Sequence, residues 1–317
     1  MSIRPVVVGM GTIQQKGNYN ELDEALFLMD KSFKKAIIDC TNSNITEYIN
    51  EVRIPKGFWR YRDPGKWVAD NNNIKSVKTI VSKVGILQQN LINTACNKIK
   101  NGEIKASLIL GGESRFKILR SSIENKDYIE TPLNTNPDIY EKSPEKLQLD
   151  VEEKELGSMA VGYYAILESA FRHMLQNNHD DHHNYLCDVY SGYSEIAANN
   201  KDGWIEQSID KEDIKVESKK NTRQAFPYNK YHCTSWNVNQ ACSIIICSEG
   251  VADKLDIPLD KRVYPLASSE NNHMISTLQR PNLIEPAGMH LAAKFILDIC
   301  SKNNLVPSIY DLYSCFP

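Results

Sequence analysis

GILQQNLINTACNKIKNGEIKASLILGGES, residues 85–114, is the stretch that decides the fold. Leu87, Leu91, Ala95 and Ile99 recur four apart, with Ile92 and Cys96 beside them, so the segment predicts a helix with a wide apolar stripe. Asn101-Gly102 stops it, because glycine accepts the left-handed conformation that ends helices. Ala106 to Leu110 then reads as a short apolar strand closed by Gly111-Gly112. A helix and strand that are both apolar form half of a buried βαβ unit.

Outward from this centre, PVVVGMG at 5–11 predicts a buried strand, and Leu22, Ala25, Leu26, Met29, Phe33, Ala36 and Ile37 predict a helix over 21–38. Residues 45–55 and 76–84 read as further strands, with the loop-like GFWRYRDPGKW between them. Its Trp59, Arg60, Tyr61, Arg62 and Trp67 suit stacking on a nucleotide. The plainer reading has the rings pinning the loop to its own domain or to a dimer partner.

From 119 to 233 the composition turns polar, and helical periodicity survives mainly in SMAVGYYAILESAFRHML at 158–175. This predicts an inserted helical domain, with residues 130–157 as a loose excursion rich in turn formers. His179, Asp180, Asp181, His182 and His183 are ligand-type residues, but neighbouring histidines diverge on a helix and either Asp180 or Asp181 suits an N-cap. No metal is expected. VNQACSIIICS at 238–248 resumes the buried-strand pattern, followed by a short helix to Leu255, a strand at 262–267, a helix at 286–302 and a last strand at 308–316. Strand, helix, Asn-rich turn and extended segment thus occur twice, over 5–55 and 262–316, the order expected of a duplicated α/β domain. The reading divides the chain into 1–118 with 234–258, an insertion at 119–233, and an incomplete second half at 259–317.

With 317 residues, 41% hydrophobic and 24% charged, the composition is that of a globular protein. A net charge of −3 gives no reason to expect nucleic acid or an anionic membrane as partner. No apolar run approaches the ~20 residues of a membrane helix. The first residues lead into a strand rather than a signal peptide, and eight cysteines without CxxC pairing suit a reducing cytoplasm.

WRYRDPGKW at 59–67, QQNLINTACNKIKNGE at 88–103, GGES at 111–114, NTRQAFPYNKY at 221–231, VNQACSIIICSEGVADKLDIP at 238–258 and DLYSCFP at 311–317 together span most of the chain. In that order they resemble the thiolase superfamily, in particular a divergent bacterial acetyl-CoA acetyltransferase-like group related to sterol-carrier-protein thiolases. The resemblance implies α/β/α/β/α layers and a dimer, or a partner subunit covering the second half. It implies action on acyl-CoA as substrate, with no tightly bound cofactor. It also implies a nucleophilic cysteine at the N-terminus of the central helix, where a helix end favours thiolate. The family spacing, counted back seventeen residues from Gly102, lands on Gly85, and Cys96 lies about 16 Å further along the helix. Gln88 and Gln89 occupy the first turn and are expected to bind the thioester. Tyr313 and Cys315 stand at the family's NEAF or HDCF element and are the catalytic candidates, with Tyr313 as an acid. Ser235 and Asn239 fall at the CoA-contacting element, which here carries Trp236. Histidine and cysteine of the GHPxG and CxG motifs have no counterpart in these 317 residues. The function implied is a thiolase-like acyltransferase, atypical for want of the thiol. Its alternatives are a non-catalytic CoA-thioester binder and a structural subunit of a thiolase-like or aldolase complex.

Overall fold

A computed structural model describes residues 2–271, 274–313 and 316. The chain divides into two compact units, 1–145 with 236–272, and 146–235 with 273–317.

The first unit is built on strands β1 (Pro5–Gln14), β2 (Ile49–Pro55), β3 (Lys78–Ser82), β4 (Ala106–Ser114) and β5 (Ile139–Glu141), with helices α1 (Ala25–Asp39), α2 (Pro64–Asn71), α3 (Gln88–Lys100) and α4 (Arg115–Ile123). In the second unit lie α5 (Asp150–Leu156), α6 (Ala160–Met174), α7 (His179–Ala198), α8 (Lys211–Lys215) and the short β6 (Arg223–Ala225) and β7 (Tyr228–Asn229). The chain then returns to the first unit with β8 (Asn239–Ser248) and α9 (Glu249–Lys254), and α10 (Ala287–Lys302) closes the second.

Six strands form one mixed sheet in the order β1-β8-β4-β2-β3-β5. β8 is antiparallel to both neighbours, whereas β4, β2, β3 and β5 run parallel. Side chains alternate across this sheet as period-two geometry demands. Val6, Val8, Leu108, Leu110, Ile245 and Cys247 face α1 and α2, meeting Leu26, Met29, Phe33 and Val68 in one core. Val7, Ile109, Ile244 and Ile246 face the other way, onto Leu91, Ala95 and Ile99 of α3. α1 lies so close to β1 that a Cβ on Gly11 would fall 2.0 Å from the Ser32 carbonyl oxygen. Glycine is required there because nothing larger lets the two backbones approach. The mixed α/β class and the buried central helix–strand pair are therefore as the sequence predicts.

Several elements differ. Gly111 and Gly112 do not turn the chain; β4 continues to Ser114, pairing with Asn239 of β8. Within the aromatic loop, Asp63 caps α2 by accepting from Lys66 N–H at 2.9 Å, with Pro64 in the first turn, a start signal the loop reading overlooked. The excursion at 130–157 contains β5, held on β3 by Ser82 Oγ donating to Glu141 at 2.6 Å, and α5. These contacts carry the first unit on to residue 145. Residues 262–267 form only one bridge, Val263 to Val7, because Pro265 has no N–H for a ladder. Tyr264 is instead held by side chains: Arg4 lies 4.1 Å from its ring and its hydroxyl reaches Glu249 at 3.1 Å. Over 308–313 there is no strand, and Ile309 and Leu312 are exposed. α7 is capped by Asn178, which accepts from Asp181 N–H, and Asp180 and Asp181 lie inside its first turn.

Candidate functional site

The carboxyl ends of β2, β3 and β4 and the amino end of β8 share one edge of the sheet. Ligands of open α/β sheets bind outside this edge, where loops leave the strands. After β3 the chain makes a turn in which Ile86 N–H donates to the Lys83 carbonyl at 3.1 Å, and Gly85 adopts φ +104°. A positive φ at the third position of such a turn is glycine's region, so Gly85 serves the backbone. Gln88 and Gln89 follow, exposed in the first turn of α3. Gln89 donates to Asn93 at 2.8 Å, and Asn93 and Asn90 both donate to Glu270.

Between the loop after β2 and the segment after α4 opens a cleft of about 610 Å³. Its walls include Phe58, Arg60, Arg62, Arg115, Tyr128 and Glu130. The aromatic loop divides its work. Trp59 and Tyr61 are buried, as the pinning reading expects, and Tyr61 donates to Glu24 at 2.6 Å. Phe58, Arg60 and Arg62 are exposed. Arg115 places its guanidinium 5.2 Å from the Phe58 ring and 6.0 Å from the Trp236 ring, which are themselves 5.3 Å apart. Its Nε is buried without a hydrogen-bond partner. Such a group is primed for an acceptor, since a buried unpaired donor is costly.

Acid–base groups flank the cleft. Glu113, at the end of β4, accepts from Phe58 N–H at 2.6 Å. Burial pushes its carboxyl above the ordinary value, against the opposing pull of that N–H, Lys56 and Arg115. Burial lowers Lys56, which donates to the Trp59 carbonyl and sits 3.8 Å over the Trp59 ring. The Tyr128 hydroxyl, 3.0 Å from Ser114 Oγ, is pushed up to about 12, by burial first and by neighbouring carboxylates.

The other expected site residues are dispersed. Asn239 is buried with both amide atoms committed: Oδ1 accepts from Lys117 N–H, and Nδ2 donates to the Asp23 carbonyl. This amide builds the start of α4. Ser235 and Tyr313 are exposed residues of the second unit, and Cys315 lies outside the described residues. Lys56, Arg115, Tyr128 and Glu130 were not singled out by the sequence. Only Arg115 carried a signal, following GGES at the head of a helix; Tyr128 and Glu130 lie in a polar stretch without periodicity.

The histidine cluster separates in the second unit. His182 Nε2 lies 2.7 Å from buried Glu168, whose other oxygen accepts from Tyr228 at 2.5 Å. The His179 ring meets Phe226 edge-on. His183 instead gathers with Cys187 and His232.

Neither a family sequence model nor a characterised protein sequence matches the chain. Solved structures do. A monomeric SCP2-thiolase-like protein type 1 from Mycobacterium smegmatis superposes with a TM-score of 0.77 and 21% identity over 100% of this chain. This chain spans 62% of that protein's length. An Ltp2–ChsH2(DUF35) aldolase gives a TM-score of 0.64 at 16% identity, over 97% of this chain and 71% of that one. No helix among the described residues is long and apolar enough to cross a membrane. Sheet order, the two helical layers and these likenesses together show that the chain has the thiolase fold.

Proposed function

We propose that the chain binds CoA thioesters, with the phosphate-bearing end of the ligand in the cleft between the β2 and α4 loops. The observation that carries this reading is Arg115, whose unpartnered Nε is buried beside two aromatic rings in a cleft that also presents Arg60 and Arg62. Guanidinium groups bind phosphate oxygens in a forked geometry, and rings beside them offer a face to a flat base. The thiolase fold supports the class of ligand. Gly85 supplies no sulfur, so thioester attack by cysteine at that turn is not part of this chain's chemistry. Any acid–base step falls to carboxyl and phenol groups such as Glu113 and Tyr128.

Calorimetric titration of the full chain with CoA and acetyl-CoA tests the reading. Saturable binding is expected, and Arg115→Ala should weaken it by roughly ten- to a hundredfold, the loss of a charge-assisted hydrogen bond of about 1.5–3 kcal/mol. Acetoacetyl-CoA with CoA should show no thiolysis. Unchanged affinity in the variant, or robust thiolysis, would overturn it.

A second reading, that the chain works as a subunit, is favoured by α10. None of its sixteen residues is buried, and Met289, Leu291, Phe295 and Leu297 are exposed. Exposed apolar helix surface of this kind marks protein contacts. Light scattering should find a dimer or a stable heteromer that Phe295→Glu disperses. A wild-type monomer with the same mass as the variant would exclude this reading.

A further inference from the structure

We infer that the second unit holds a zinc(II) site made by His183, Cys187 and His232. His183 and Cys187 lie four apart on α7, so their side chains leave the same helix face one turn apart. His232 comes to them from the turn Lys230–His232, and one ligating atom from each of the three lies within 4.8 Å of the others. Two of these atoms already stand at coordination spacing: His232 Nε2 is 3.7 Å from Cys187 Sγ. Zinc bonds of about 2.0–2.3 Å put tetrahedral neighbours about 3.4–3.8 Å apart, so His183 must close by at most about 1.4 Å. Cys187 and His232 are buried, and His183 Nε2 is buried with no hydrogen-bond partner. An orphaned imidazole nitrogen beside a buried thiol and a second imidazole is otherwise an unexplained cost.

The donor chemistry selects the ion. One thiolate and two imidazoles suit zinc and its probe cobalt, whereas magnesium and calcium take oxygen ligands. Three protein ligands leave the fourth position to water. The turn that brings His232 is held from α7 as well, where Tyr190 donates to the His232 carbonyl at 2.7 Å. Proton balance is explicit. Asn229 N–H donates to His232 Nδ1 at 3.1 Å, so Nε2 carries the ring proton in the metal-free chain. On binding, the thiol proton leaves to solvent, the ring proton moves from Nε2 to Nδ1, and the Asn229 bond opens. Net, one proton is released per ion.

The test uses the full chain without a histidine tag, stripped with chelator and titrated with cobalt(II). One equivalent should produce the near-ultraviolet charge-transfer band of a cobalt–thiolate bond, and zinc should erase it. Cys187→Ser should abolish the band, while Cys233→Ser keeps it. Should Cys187→Ser not fold by circular dichroism, His183→Gln serves instead, with zinc affinity expected to fall by about 10–100-fold or more. Nitrogen NMR of the histidine rings should show His232 exchanging its tautomer as zinc binds. Absence of the band in folded wild-type chain, its survival in Cys187→Ser, or unchanged zinc affinity in His183→Gln would refute the site.

Discussion

Arg53→Met is expected to destabilise the first unit by about 3–5 kcal/mol, because it takes from a buried carboxylate the more deeply buried of its two cations. Arg53 and Glu51 have side chains only 2% and 1% exposed, on the sheet face that α3 covers. Arg53 Nε donates to Glu51 at 2.6 Å and Nη1 to Glu141 at 3.2 Å, while Lys98 of α3 donates to Glu51 at 2.7 Å. Burial pulls the Glu51 carboxyl upward, but the hydrogen bonds from Arg53 and Lys98 outweigh it and hold the group below the ordinary carboxylate value. The sign of the pH effect follows. With a depressed folded pKa, Glu51 contributes fully above the unfolded value of about 4.3, and the contribution disappears as pH falls through the folded value. Urea unfolding of the full chain, followed by tryptophan fluorescence, measures the loss. The double variant Arg53→Met with Glu51→Met should be less destabilised than Arg53→Met alone, since the charges it leaves, Lys98 and Glu141, are partly exposed to water. A loss below about 1 kcal/mol in the single variant would contradict the network's place in the fold.

Phe33→Ala should cost a similar amount, about 3–5 kcal/mol, for an apolar reason. Phe33 is fully buried on α1 and packs in the larger core with the β1, β4 and β8 side chains. Interiors packed to crystal density close poorly over a missing ring, so a cavity adds to the lost transfer energy. Ile38, five residues along the same helix and 76% exposed, is the control; Ile38→Ala should stay within about 0.5 kcal/mol. Equal midpoints for the two variants in urea would show that α1 is not seated as described.

Periodicity carried the parts of the fold that bury an apolar face. α1, α3, β1, β4 and β8 are legible because each meets a core whose geometry repeats every 3.6 or every two residues. β5 was not legible, since its hold on β3 is polar, through Ser82 and Glu141. The strand pattern at 262–267 misled because Pro265 breaks the ladder and side chains do the holding. For the loop after β2, the sequence indicated rings that pin it in place, as buried Trp59 and Tyr61 do. It could not indicate that Arg115 reaches Phe58 and Trp236, residues 57 and 121 positions away. Nor did it join His183 and Cys187 to His232, forty-five residues beyond Cys187.

By itself, then, the amino-acid order determined which segments are buried strands and helices and that the turn before the central helix carries glycine. Burial patterns and residue identity are local properties, repeated along the chain. Only the tertiary structure decided which polar groups meet: the arginine cleft, the Glu51–Arg53–Lys98 layer and the histidine–cysteine cluster. Those meetings depend on sheet order and helix docking, which bring distant residues together through space and leave no periodic trace in the chain.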